Sequence, residues 1–175
     1  DGTEAFNQNL SIWTLEGWDF NAQYGFEAAG LEWKADWEAS YTTVWDVELF
    51  AGEDLQEYAG VVGTPEWKHN LGLSVFGDSW SASYNMLYVD EMTINEVVNE
   101  DKDPALYTTP VADSFVTHTV SASYQLNDNV SLRAGIDNLT DEEPPYMTNY
   151  GDANTNTRQY KYVGRNFFLG TTVSF

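Results

Sequence analysis

The chain has 175 residues, 42% of them hydrophobic and 15% aromatic, with a formal net charge of −21. Seven Lys and Arg stand against 28 Asp and Glu, which excludes nucleic acid as a partner because phosphate contacts need cations. The absence of cysteine excludes a disulfide scaffold, a thiol nucleophile and any Cys-ligated metal.

No run approaches the roughly 18 to 20 apolar residues of a membrane-spanning helix. Alternation dominates instead, and it predicts strands. In the first segment Leu10, Ile12, Trp18, Phe20, Ala22, Tyr24 and Phe26 share one face, with Asp19, Asn21, Gln23 and Gly25 between them. In "LEWKADWEASYT" the apolar set is Leu31, Trp33, Ala35, Trp37, Ala39 and Tyr41, against Glu32, Lys34, Asp36, Glu38 and Ser40. "WKHNLGLSV" sets Trp67, Leu71, Leu73 and Val75 opposite Lys68, Asn70, Gly72 and Ser74. "WSASYNMLY" puts Trp80, Ala82, Tyr84, Met86 and Tyr88 on one face. "FVTHTVSASYQL" does the same with Val116, Val120, Ala122, Tyr124 and Leu126, and "NVSLRAGID" with Val130, Leu132, Ala134 and Ile136. The closing "NFFLGTTVSF" alternates through Phe167, Leu169, Thr171, Val173 and Phe175.

Seven strands are therefore predicted, and no helix. Short turns fall at 27–30, 76–79 and 127–129, and long polar stretches at 46–66, 90–113 and 140–159. An antiparallel meander with short turns at one end and long loops at the other is the layout of a transmembrane β-barrel. The competing reading is a secreted, Trp-rich, carbohydrate-binding β-sandwich, which also alternates. Sandwich strands run about five or six residues, and these are longer. Trp and Tyr also gather toward strand ends on the apolar face, as barrel girdles do.

Acidic residues crowd the long stretches, yet no spacing matches a calcium loop, so a solvated surface is expected there rather than a metal site. His69 and His118 are isolated, and the charges in the polar phase read as a wetted inner wall. No catalytic set and no cofactor site is legible. The candidate ligand contacts are loop aromatics, Trp45, Tyr58, Tyr107, Tyr146 and Tyr150, with Phe50 beside them.

The last third, "LRAGIDNLTDEEPPYMTNYGDANTNTRQYKYVGRNFFLGTTVSF", resembles the C-terminal end of TonB-dependent outer-membrane receptors. The matching residues are Asn138, Leu139 and Asp141, then Tyr160, Gly164, Arg165 and Phe175. "EGWDFNAQY" and "GTPEWKHNLGL" are similar to strands of the same family. The resemblance implies that residues 1–175 are the C-terminal strands of a larger, plugged barrel, with the plug domain and earlier strands outside this chain. It implies an outer-membrane location and uptake of a siderophore, cobalamin or oligosaccharide, without enzymatic conversion. The implied partners are a TonB-type energy-transducing protein acting through the plug, the remaining strands, the barrel-assembly machinery, and lipid with lipopolysaccharide. It further implies that Phe167, Leu169, Val173 and Phe175 close the barrel, with Phe175 as the assembly signal.

Overall fold

The computed structural model describes residues 11–50, 52–147 and 153–174. Its elements are β1 (Ile12–Ala28), β2 (Leu31–Glu48), β3 (Gln56–Glu57), β4 (Trp67–Phe76), β5 (Trp80–Val89) and β6 (Met92–Thr93). One helical turn, α1 (Asn95–Val98), and a 3-10 turn (Pro104–Leu106) follow, then β7 (Val111–Ala112), β8 (Phe115–Asn127), β9 (Val130–Asp137) and β10 (Asn166–Val173). The seven long strands form one antiparallel sheet in the order β1-β2-β4-β5-β8-β9-β10, with β3 on β2, while β6 and β7 make a separate ribbon. Among the described residues β1 and β10 pair on one side only, so the sheet is an open arc of wall.

The register carries the apolar phase unbroken across the sheet. Phe26 faces Trp33, Trp33 faces Val75, Val75 faces Ala82, and Ala82 faces Ala122. Ala122 then faces Ala134, and Ala134 faces Leu169. Directly opposed residues in antiparallel strands point to the same side, so this row and its neighbours form one apolar face. Among the described residues no second layer packs on that face: Leu169 is 80% exposed, Phe167 69% and Tyr24 68%. A sandwich would bury these side chains between two sheets; among the described residues no second sheet covers them. Trp18, Tyr41 and Trp67 band the loop end, and Trp80 and Tyr124 the turn end.

The opposite face is polar. Ser81 meets Ser123 and Ser83 meets Ser121 at 2.7 Å, and the Thr119 hydroxyl donates to Asp137 Oδ1 at 2.6 Å. The Arg133 guanidinium lies 5.0 Å from the centre of the Phe168 ring. On the apolar face His118 Nδ1 lies 2.8 Å from the Tyr84 hydroxyl, and His69 stacks on Trp67 at 5.1 Å, so each histidine has an aromatic neighbour.

Two expectations need correction. The loops carry secondary structure of their own: β3, α1, β6 and β7 were too short for any periodicity to register. And Trp45 is a strand residue, because β2 runs on to Glu48. Glu16 faces Val44 whereas Gly17 faces Thr42, leaving Thr43 as the extra residue of a bulge. Bulges re-aim side chains. Below this one Trp33, Trp37 and Tyr41 point outward; above it Trp45 and Val47, in the same sequence phase, turn inward opposite Leu15 and Trp13. The strand thus reverses its apolar side where it leaves the girdle. A Cβ on Gly17 would lie 2.6 Å from the Tyr41 carbonyl oxygen, so only glycine fits the bulge. Gly17→Ala is expected to cost about 1 to 3 kcal/mol, as overpacked sites do, seen as a lowered denaturant midpoint of the barrel in detergent.

Candidate functional site

One cluster of buried residues gathers above the wall. Val89, Met92, Ala112, Phe115, Met147 and Tyr160 form one core. Val89 and Phe115 come from the loop ends of β5 and β8, while the others come from residues 90–114 and 138–165. Tyr160 stands edge-on to Phe115 at 5.2 Å. Two long connections therefore condense over one apolar centre, and Val62 from the connection after β2 packs against it.

Backbone pairing stitches the connection after β2 to residues 90–114. Val62 N donates to Thr93 O at 3.0 Å, Thr93 N donates to Gly60 O at 2.8 Å, and Gly63 N donates to Met92 Sδ at 3.3 Å. The Asn99 side chain pairs with Glu57 as another strand would: its Oδ1 accepts from Glu57 N and its Nδ2 donates to Glu57 O, each at 2.7 Å. Carboxamide and peptide share the same donor and acceptor geometry, which suits Asn to this role.

Between these two connections lies a cleft of about 540 Å³, lined by Tyr58, Ile94, Asn95, Glu96, Leu106 and Tyr107 among others. Its walls combine two phenol rings and aliphatic side chains with a few polar groups, the usual make-up of a ligand site. The Tyr58 hydroxyl donates to Gln56 Oε1 at 3.0 Å, which holds the ring at the rim.

The structure thus brings together two of the proposed ligand aromatics, Tyr58 and Tyr107, from separate loops. Trp45 stands elsewhere, on the inward face of the ribbon above the bulge, 6.3 Å from the ring of Trp13. Tyr146 is 59% exposed at a third position. Tyr150 lies outside the described residues, and so does Phe175. Phe167, Leu169 and Val173 occupy the bare outer face of β10. Sequence reasoning missed Trp13, Leu106 and Asn99. Trp13 sits in a strand pattern that gives no hint of the bulge, and Asn99 carries no motif at all. Among the described residues no group of His, Cys, Asp and Glu is arranged to hold a metal.

A family model described as "TonB dependent receptor-like, beta-barrel" matches residues 7–139. The chain belongs to the TonB-dependent receptor β-barrel family. It is a segment of outer-membrane β-barrel, and the bare apolar face of its sheet is the lipid-facing side. Among solved structures, the copper transporter OprC aligns over 92% of this chain with a TM-score of 0.58 and 20% identity, a likeness of fold. The chain spans 23% of that protein. No curated protein matches the sequence. The receptor wall therefore has an outer face of alternating apolar and aromatic residues, a wetted inner face, and a packed loop unit at one end.

Proposed function

We propose that this chain is the C-terminal wall of an outer-membrane active transporter whose remaining strands and plug lie outside residues 1–175. Uptake is driven by a TonB-type protein engaging the plug, and the cargo crosses without covalent change. A siderophore complex, cobalamin or an oligosaccharide is the class of cargo large enough to require such a barrel. The observation that carries this reading is a one-sided membrane wall whose loops are packed into a unit with its own cleft. Loops that served only to connect strands would need no core of their own. Assembly machinery inserts the barrel, and lipopolysaccharide surrounds it.

Within that reading the cleft contacts the cargo through Tyr58 and Tyr107. Charge narrows the choice. Residues 49–66 and 90–114 carry Glu53, Asp54, Glu57, Glu66, Asp90, Glu91, Glu96, Glu100, Asp101, Asp103 and Asp113 against Lys102 alone. Such a field repels anions approaching the cleft, so the cargo is neutral or cationic. In the complete receptor Tyr58→Ala and Tyr107→Ala are each expected to weaken cargo binding about tenfold, or ~1.4 kcal/mol. Equilibrium binding in detergent and uptake by whole cells measure this. Unchanged affinity in the double variant would remove the cleft from the transport path.

A further inference from the structure

The family-like motif residues around β9 and β10 are not absorbed by ligand binding, and their contacts suggest another role. β10 follows β9 across residues 138–165, so no tight turn fixes their pairing, whereas two-residue hairpin loops do fix it elsewhere in β proteins. The apolar pattern does not fix it either. On the lipid face Phe167, Leu169, Thr171 and Val173 lie opposite Ile136, Ala134, Leu132 and Val130. A slip of one residue would turn the apolar set inward, but a slip of two keeps apolar on apolar along the strand. Something else must choose between registers two residues apart.

Polar clamps sit at both ends of β10. At the loop end Leu139 N donates to His118 O at 2.7 Å, which ties the chain to β8 beyond Ile136, the last β9 residue paired with that strand. Asn138 then turns the chain at φ +52°, and its buried amide closes on Glu142 twice, accepting from Glu142 N and donating to Glu142 O at 2.9 Å. This turn presents the Asp141 carboxylate, which accepts from Arg165 N at 2.7 Å, one residue before β10 begins. A Cβ on Gly164 would lie 2.7 Å from Asp141 Oδ1 and would push the carboxylate off that amide. At the other end Asn129 grips the strand's exit: Ser174 N donates to Asn129 O and Asn129 Nδ2 donates to Ser174 O, both at 2.8 Å. Between the clamps Phe168 lies over Gly135, in a notch that a larger residue would fill.

We infer that the register of β10 on β9 is set by these end clamps, Asp141 on Arg165 and Asn129 on Ser174, and that the Asn138 turn and Gly164 exist to present and admit the first of them. The clamps also free the described residues between Glu142 and Gly164 from any part in strand alignment, because the two strands are tied on the near side of that loop.

Cysteine pairs in the complete receptor, expressed in the outer membrane, read the register directly, since a disulfide forms only between closely opposed positions. Ala134→Cys with Leu169→Cys reports the native pairing; Leu132→Cys or Ile136→Cys with Leu169→Cys reports a slip of two. The parent, with both clamps in place, is expected to crosslink the native pair alone. In the Asp141→Ala/Asn129→Ala background the native crosslink is expected to fall at least fivefold while a slipped pair gains. If that background assembles no barrel, Asp141→Asn/Asn129→Ala decides, because an amide oxygen still accepts from Arg165 N. Recovery of native crosslinking there supports the clamp. Equal loss in both backgrounds overturns it, as does parental crosslinking in the Asp141→Ala/Asn129→Ala barrel.

Discussion

Leu71→Arg is expected to destabilise the barrel by about 2 to 4 kcal/mol, the cost of a cation on the lipid face near the bilayer midplane, while Asn70→Arg in the adjacent position is nearly neutral. Leu71 is on the outer face, 38% exposed, between the Trp67 girdle at the loop end and the Trp80–Tyr124 pair at the turn end. Its flanking partners Trp37 and Met86 are apolar, so an arginine there finds no counter-ion and must snorkel past aromatic rings. Asn70 points to the wetted side, and its partner across the ladder is Glu38, which would welcome a guanidinium. Heat-modifiability on gels and urea titration in lipid vesicles measure both variants. The contrast between neighbouring residues is the informative quantity, because backbone propensity and expression affect them alike. Equal loss in the two would mean that the outer face is not in lipid.

The wall was legible in the sequence because a membrane barrel makes period two obligatory. Each strand must show lipid one face and water the other, so Trp33, Leu73, Ala122 and Leu132 announce their side without any tertiary information. The three tight turns were legible for a related reason: Gly30, Gly77 and Asp128–Asn129 interrupt the alternation where the chain reverses. The bulge was not legible. Trp45 and Val47 continue the phase of Trp37 and Tyr41, and only the pairing with β1 reveals that Thr43 is supernumerary. Nor was the loop unit, since β3, β6 and β7 are two residues each, too short to show a period. Its core residues Met92, Ala112, Met147 and Tyr160 are scattered singly among polar residues, and they become a core only when two connections fold over one another. Of the candidate ligand aromatics, their type was readable and their grouping was not: Tyr58 and Tyr107 are far apart in the chain and meet only through the Thr93 and Asn99 pairings.

That separation between wall and loop unit has a consequence for Tyr160. It is 2% exposed and packs against Phe115 in the loop core. Truncating a buried aromatic to alanine costs about 3 to 5 kcal/mol, which exceeds what most local units can lose and remain folded. Tyr160→Ala is therefore expected to loosen the loops over residues 49–66, 90–114 and 138–165, exposing them to protease and weakening cargo binding in the cleft. The wall should scarcely notice. Its strands are held by the ladder from β1 to β10 and by lipid on the outer face, and Tyr160 meets that ladder at its loop end, on Phe115. Heat-modifiability should thus stay near that of the parent, in contrast to Leu71→Arg, where the barrel itself fails. Tyr162→Ala is the control: the same residue type two positions on, 65% exposed, whose loss should leave both loops and wall unchanged. Phe115→Ala should reproduce the loop defect from the other side of the contact, with a larger effect on the barrel because Phe115 begins β8. If Tyr160→Ala lowers the stability of the barrel as far as Leu71→Arg does, the loop core is part of the wall's own folding unit. If instead only proteolysis and cargo binding change, the loops form a separable layer built on a membrane scaffold that stands without them.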